Sequence, residues 1–412
     1  MINKIYNFLI SISDLYIYLN SFSNEKNRKL YKGRTNTYKS LNFINKINQK
    51  YILIHVSSVG EYEQAKPVIY QLSKTYSYKI IVSYFSPSVE KIINKSNLIF
   101  KSFYIPSDRK KNMSKMFNLI KPEFILLIKY EFWKNLIAES RKKNIPIFSV
   151  VSTFRKNQIF FRFYGVFFRK ILNDISYFLV QDEKSKKLLK KININNVKVV
   201  GDSRYDRVFN IYDKAKKYIN IEKFISNNKT VVIGSSWKSD LNIIKNEIKK
   251  DLTNTKYIIA PHNVNDNEIK NIERLFINDT IRYSDLPQKN ILKRILIINN
   301  IGMLSSIYRY ADVSYIGGAF QGTLHNTLEA AVWGNPVIYG KNTNNKKFKE
   351  IKLLEKSGIG FSIKNGQEFK LIINRIFKNR ELGKGGNKLI SEKSGATNKI
   401  ISFLKKEIKW KE

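Results

Sequence analysis

GMLSSIYRYADVSYIGGAFQGTLHNTLEAAVWGNPVIYG, residues Gly302 to Gly340, lays out one repeat of the chain's architecture from end to end. Within it a β-rich run, Val313–Ile316, ends in Gly317–Gly318, a helical pattern starts near His325–Asn326, and a second β-rich run follows at Pro336–Tyr339. Strand, glycine turn, helix and strand in that order form a βαβ unit with parallel strands. Glycine at a strand end lets the backbone approach a ligand closely, and the first amides of the next helix face an anion. Glu329 lies three residues after Asn326 on the same helix face, where its carboxylate is able to accept from ribose hydroxyls. The plainer reading of this pair is a capping box on a buried helix.

The same rhythm runs outward in both directions. Upstream, β-rich runs at Tyr51–Val56, Lys79–Tyr84, Leu98–Tyr104, Glu123–Ile128, Ile145–Val151, Tyr177–Val180 and Val197–Val199 alternate with helical segments. After the polar stretch Asp206 to Asn228 it restarts with Thr230–Ile233, Lys256–Ala260 and Arg294–Ile298. The restart predicts a second domain, in keeping with 412 residues, a length at which one core usually gives way to two of roughly 150 to 200 residues. The expected division is residues 1–50 as an N-terminal helix and basic segment, 51–215 as the first α/β domain, 216–392 as the second, and 393–412 as a C-terminal helix. That last helix, amphipathic and basic over Asn398 to Lys411, is expected to cross back to the first domain.

Composition narrows the chemistry. Cysteine is absent, which excludes disulfides, thiolate nucleophiles and thiolate metal sites. Three histidines in the whole chain and the lack of a D-x-D motif leave little from which to build a metal site, so no cofactor or metal is expected. Lysine and arginine outnumber aspartate and glutamate by 74 to 33, a net charge of +41 that draws the protein toward a polyanion or reflects a Lys- and Asn-rich composition. Ile5 to Leu19 is apolar and aromatic but interrupted by Asp14, and falls short of the roughly 20 apolar residues needed to span a bilayer. With Lys26, Arg28, Lys29, Lys32 and Arg34 following, it reads either as an interfacial helix on an anionic membrane or as a helix docked on its own domain.

Four constellations carry chemistry. In HVSSVGEYEQAKP, His55 to Pro67, a strand runs into Ser57, Ser58 and Gly60, and Glu61 stands at the helix start. Glu61 is either a helix-start carboxylate favoured by the dipole or the base that takes a proton from an acceptor hydroxyl. In KYEFWKNL, Lys129 to Leu136, Glu131 occupies the matching turn of another strand, as a cap, an ion-pair partner or a shaper of the same site. In GDSRYD, Gly201 to Asp206, Arg204 offers a planar fork to phosphate or carboxylate, or makes a surface salt bridge. Beside the Gly302–Gly340 segment, Ser235 and Ser236 after Gly234, and Pro261–His262–Asn263, end the first two strands of the second domain and suit a nucleotide.

Taken together, these segments resemble the 3-deoxy-D-manno-octulosonic acid (Kdo) transferases, which move Kdo from CMP-Kdo to the lipid A precursor. SVGE at Ser58–Glu61, E-x-W-x-N-L-I at Glu131–Ile137, V-x-D-E at Val180–Glu183 and HN-x-LEA at His325–Ala330 occur in the family's order. The resemblance implies a GT-B fold, two Rossmann-like doubly wound domains facing across a cleft, and inverting, metal-independent transfer. It implies Glu61 as general base, with Glu131 and Arg204 supporting the transition state. It implies CMP binding by Pro261, His262, Gly302, Met303, Leu304, Asn326, Thr327, Leu328 and Glu329. The family usually has Lys at Arg204, Arg at His262 and an acidic residue at Met303, departures that bear on donor affinity. The implied partners are CMP-Kdo, the lipid A precursor and an anionic membrane surface, on the cytoplasmic face of the inner membrane. The rival readings are another GT-B enzyme using a UDP-sugar, and a basic nucleic-acid-binding protein; no reading module for nucleic acid is present, so nucleic acid is not an expected partner.

Overall fold

A computed structural model describes residues 2–75, 77–286, 292–342 and 348–408. The chain divides into two compact units, Met1–Arg207 with Ser394–Glu412, and Val208–Lys393. The segment expected as a separate N-terminal element thus belongs to the first unit, and so does the C-terminal helix, observed at Ala396–Glu407. The expected extension of that helix to Lys411 lies outside the described residues.

The first unit carries strands β1 Tyr51–Val56, β2 Lys79–Tyr84, β3 Lys101–Tyr104, β4 Phe124–Ile128, β5 Ile147–Ser152, β6 Tyr177–Val180 and β7 Val197–Val199. They form one sheet in the order β3-β2-β1-β4-β5-β6-β7, and every neighbouring pair is parallel. β1, β4 and β5 are buried from end to end, which is why they read as unbroken apolar runs. Their side chains still alternate between faces: Ile52, Ile54 and Val56 join one core cluster, Tyr51 and Leu53 the other. Ile400, Ile401, Phe403 and Leu404 of the C-terminal helix close the first of these cores.

Two helices precede β1, Ile2–Asn20 and Glu25–Leu41. The first is built inside out. Tyr6, Ile10, Asp14 and Ile17, at helical spacing, face the unit, and of the whole helix Ile17 alone is fully buried. Polar groups dock it: Tyr6 donates to Asp108 Oδ2 at 2.6 Å, and Asp14 accepts from Ser107 Oγ at 2.7 Å and Arg109 Nε at 2.9 Å. Ile2, Ile5, Phe8, Leu9, Ile12, Leu15, Tyr16 and Leu19 point outward and are exposed.

The second unit repeats the plan with β8 Thr230–Ser236, β9 Lys256–Pro261, β10 Thr280–Arg282, β11 Ile295–Ile297, β12 Val313–Ile316, β13 Val337–Gly340 and β14 Gly360–Ile363. The order is β10-β11-β9-β8-β12-β13-β14, again all parallel. Sequence reading missed β10 and β14, the two edge strands, of three and four residues. Short edge strands are half exposed and lack the continuous apolar run that marks the central ones. In each sheet the chain reverses its direction of growth between two central strands, β1 and β4 in the first and β8 and β12 in the second, and ligands bind at such switch points.

Candidate active site

Glu61 and Glu131 leave the carboxyl ends of β1 and β4, the strands that flank the first switch point. β1 ends in Val56, and Ser57–Ser58 turn the chain into the helix Val59–Thr75, whose first turn carries Glu61. The carboxylate folds back to accept the Ser57 amide at 2.6 Å, so it does not lie free along the helix. After β4 the backbone turns through Lys129 at a left-handed φ of 63°, a costly conformation for lysine that persists only where surroundings enforce it. This turn swings Glu131 toward β1, where its Oε2 stands 3.6 Å from His55 Nε2 and accepts the Trp133 indole N–H at 3.0 Å. Glu131 is therefore neither a helix cap nor the partner of a neighbouring lysine. The helix Lys134–Lys142 is capped from a distance, Asp108 accepting the amides of Asn135 and Leu136 at 3.0 and 2.8 Å.

His55 is fully buried in β1, with Nδ1 3.0 Å from Ser83 Oγ and 3.1 Å from Ser83 O. Nε2 faces Glu131 from beyond hydrogen-bond distance and is buried without a hydrogen-bond partner among the described residues. The two carboxyls are pushed apart. Burial raises the Glu61 pKa above the usual glutamate range, and the like charge of Glu131 raises it further. Burial also acts upward on Glu131, but His55, Ser57 and Trp133 outweigh it and hold that carboxyl below its ordinary value. A matched pair of this kind supplies one carboxylate that stays ionised and one that exchanges protons nearer neutrality.

Arg204 stands in the first turn of another helix, Ser203–Asp213. Its Nε and Nη2 converge on Asp202 Oδ2 at 3.0 and 2.8 Å, and its amide donates to Asp202 Oδ1 at 3.0 Å. Asp202 in turn approaches Gln64, one turn beyond Glu61, at 3.5 Å. The guanidinium is thus aligned by its own carboxylate.

In the second unit the switch-point loops come together. β8 bulges at Ser235, whose φ of 51° is left-handed, and the His262 amide donates to Ser236 O at 2.9 Å, tying the ends of β8 and β9. Ser235 is half exposed, whereas the Ser236 and Thr327 hydroxyls are buried and make no hydrogen bond among the described residues. Asp240 is fully buried and accepts from Gly318 N at 2.9 Å, Trp237 N at 2.9 Å and Tyr315 Oη at 3.0 Å, locking the β8 and β12 loops to one another. Gly318 is required there, since at φ 94° a Cβ would lie 2.2 Å from Thr323 O.

Three rings lie over these loops. Trp237 and His325 are nearly coplanar, at 10°, and joined edge to edge by Trp237 Nε1–H donating to His325 Nε2 at 3.1 Å. His262 stacks on both, its centroid 4.3 Å from Trp237 and 4.5 Å from His325. Burial, and the neighbouring His262, lower the His325 pKa to about 4, and burial lowers that of His262, which leaves the plate uncharged at neutral pH. Nothing in the local sequence marks Trp237, Asp240 or His325 for these roles, because their partners come from other loops.

One expectation needs correction. The helix expected to start near His325–Asn326 is a single turn, Leu328–Ala331, and Asn326 Oδ1 takes the Leu328 amide at 3.1 Å, so this segment does not present a row of free amides. Asn326 Nδ2 also donates to Glu329 Oε1 at 3.2 Å. In the Gly302–Leu304 turn, expected at the nucleotide, Gly302 is exposed, Leu304 half exposed and Met303 buried.

The fold is that of GT-B glycosyltransferases and epimerases. A putative UDP-N-acetylglucosamine 2-epimerase from Listeria monocytogenes superposes with a TM-score of 0.57 at 12% identity over 88% of this chain and 98% of that one. The UDP-GlcNAc 2-epimerase from Neisseria meningitidis does so at 0.57 and 16% identity over 87% and 100%. These likenesses establish the fold alone. Sequence is more specific: residues 29–207 match the family model of 3-deoxy-D-manno-octulosonic-acid transferase (kdotransferase). The 3-deoxy-D-manno-octulosonic acid transferase of Aquifex aeolicus is 25% identical over 362 residues, 85% of this chain and 93% of the relative, and that of Haemophilus influenzae is 24% identical over 379 residues, 86% of each. A bifunctional glycosyltransferase/methyltransferase of Fusobacterium nucleatum is 28% identical over 379 residues, and the match covers 57% of its length. These matches mark the chain as a glycosyltransferase, similar over residues 29–207 to the Kdo transferase family model and over most of its length to curated Kdo transferases.

Proposed function

We propose that this protein transfers Kdo from CMP-Kdo to the lipid A precursor, in lipopolysaccharide core synthesis, by an inverting and metal-independent displacement. The observation that carries this reading is the pair of carboxyls at the first switch point, with Glu61 raised in pKa by burial and by Glu131. Glu61 takes the proton of an acceptor hydroxyl as that oxygen attacks the anomeric carbon of Kdo; the bond to CMP breaks and CMP leaves as the anion. Glu131, held ionised, keeps Glu61 basic, and Arg204, aligned by Asp202, meets charge that develops in the transition state. Ser235, Pro261, His262, Gly302, Leu304, Asn326 and Glu329 bind CMP, with the buried Ser236, Met303, Thr327 and Leu328 shaping the loops beneath.

The acceptor side is read as membranous. No helix among the described residues is long and apolar enough to cross a bilayer. The inside-out helix Ile2–Asn20 instead offers an apolar face parallel to a surface, the arrangement of an interfacial anchor. A second apolar point stands beside it: Phe163 is 89% exposed and Tyr164 60%, yet their loop is built, with Arg169 donating to Phe160 O at 3.1 Å and Arg162 O at 2.7 Å. This supports a peripheral position on the anionic cytoplasmic face of the inner membrane.

The test is incubation of the purified protein with CMP-Kdo and the tetraacyl disaccharide bisphosphate, followed by mass spectrometry. Gain of Kdo by the lipid with release of CMP is the expected result. No gain with CMP-Kdo, alongside turnover of a UDP-sugar, would replace this reading by the rival one.

A further inference from the structure

Helices Ile2–Asn20, Lys134–Lys142 and Val166–Asn173 border a cavity of about 570 Å³, within the range of roughly 300 to 1,000 Å³ typical of small-molecule sites. Ile2, Val166, Phe167 and Ile171 supply its apolar walls, and two lysines line it as well, Lys170 and Lys134, the latter donating from Nζ to Asn135 Oδ1 at 3.0 Å. The one carboxylate of the lining, Asp174, is ion-paired with Arg141, so the charge offered to an occupant is positive. Ile2 and Val166 are each about half exposed, and Ile2 belongs also to the outward apolar face of the first helix. Tyr6 of that helix packs on Phe167, the ring centroids 6.0 Å apart, which holds two walls together.

An apolar trough set with cations suits one chemistry, an aliphatic chain that ends in an anionic head. Position selects between a bulk phospholipid and the acceptor. Lys134 opens the helix that follows Glu131 by three residues, so a chain seated here brings its head group to the end of the first sheet that carries Glu131. A bulk lipid gains nothing from that placement. We propose that this cavity takes an acyl chain of the phosphorylated glycolipid acceptor, with Lys134 and Lys170 meeting its phosphate. The inference rests on the reading that the acceptor is a lipid. Each methylene withdrawn from water is worth roughly fourfold in affinity, so the cavity makes acylation of the acceptor a determinant of its KM.

The experiment compares one phosphorylated disaccharide carrying four acyl chains with the same disaccharide carrying none, using the full chain and CMP-Kdo. Ala138 lines the cavity, and Ala138→Trp fills it. The expected result is a KM for the tetraacyl acceptor raised at least tenfold, with the KM for the deacylated acceptor, the donor KM and the melting temperature unchanged. Lys170→Glu should raise KM for the bisphosphorylated acyl acceptor and leave that of its dephosphorylated form alone. An acceptor with a diazirine at the chain end, photolysed on the protein, should label helices Lys134–Lys142 and Val166–Asn173, a readout that needs no turnover. An unchanged tetraacyl KM in Ala138→Trp, or labelling elsewhere, overturns the proposal. So does loss of binding to phospholipid vesicles without change in acceptor KM, which assigns the cavity to bulk lipid. A wild-type protein that transfers to neither acceptor sinks the functional reading, while the labelling still decides the cavity.

Discussion

Glu61 and Glu131 are one side chain in two environments, and the difference gives them separate work. Glu61→Gln preserves size and hydrogen bonding to the Ser57 amide but removes the proton acceptor. Transfer should fall by roughly 10² to 10⁴-fold, the usual contribution of a positioned base, with CMP binding and the fold intact; near-normal turnover would remove Glu61 from that role. A base works only when ionised, so kcat/KM should fall as pH drops through the Glu61 pKa, which burial and Glu131 place above the ordinary 4.5. Glu131→Gln deletes a neighbouring negative charge and lets Glu61 ionise more readily. Whatever activity survives should have its acid limb displaced to lower pH, and a limb that stays put or moves up would contradict the coupling. In the second unit His262 is uncharged at neutral pH because burial lowers its pKa. His262→Arg should therefore lower the donor KM at pH 7.5 by roughly tenfold, the worth of a charge-assisted hydrogen bond, and flatten its rise with pH.

At the scale of elements, the first helix settles an ambiguity that its sequence leaves open. It docks on its own unit and still offers an apolar face outward, because the docking is done by Tyr6, Asp14 and their polar partners. Arg34, expected among the surface cations, belongs to this docking instead: it lies 3.4 Å from Asp14, donates to Ile105 O at 3.2 Å and covers the Phe85 ring. Lys29 is paired with Glu25 at 2.6 Å, and Lys26, Arg28 and Lys32 are exposed cations of that run with no ion pair among the described residues. Phe8 and Leu9 are 65% and 56% exposed. Phe8→Ser with Leu9→Asn should keep the melting temperature and weaken sedimentation with anionic vesicles at least tenfold, since each apolar side chain buried is worth about 1.5 to 3 kcal/mol. Unaltered sedimentation would return the helix to a packing role.

On the scale of the molecule, a net charge of +41 acts through a field screened over roughly 8 to 10 Å at physiological salt. Vesicle binding should weaken steeply as salt is raised, and neutralising Lys26, Arg28 and Lys32 together should flatten that slope, at about 1 kcal/mol per cation near an anionic surface. Equal binding to neutral and anionic vesicles would make the charge a matter of composition. Transfer should also persist in excess EDTA: the departing phosphate is expected to be met by loop amides and basic side chains, and loss of activity restored by magnesium would overturn that mechanism.

Central strands, switch-point turns and the carboxylates on them were legible because buried parallel strands are continuous apolar runs and the turns after them need glycine, serine or acid. Glu61 and Glu131 could be placed on matching turns without a structure, and the edge strands β10 and β14 could not, being short and half exposed. What the two glutamates do to each other was decided only in three dimensions. Their separation in pKa depends on His55, a polar residue hidden in an apolar strand, and on a left-handed turn at Lys129, neither of which local pattern can weigh. The same holds for Asp240 and the Trp237–His262–His325 plate, assembled from three loops. Sequence alone determined the central strands and the residues of the turns that end them, since those follow from periodicity and turn chemistry along the chain. Burial, charge coupling and the partners of buried side chains belong to the tertiary structure, because they are set by neighbours that the chain brings together only when it folds.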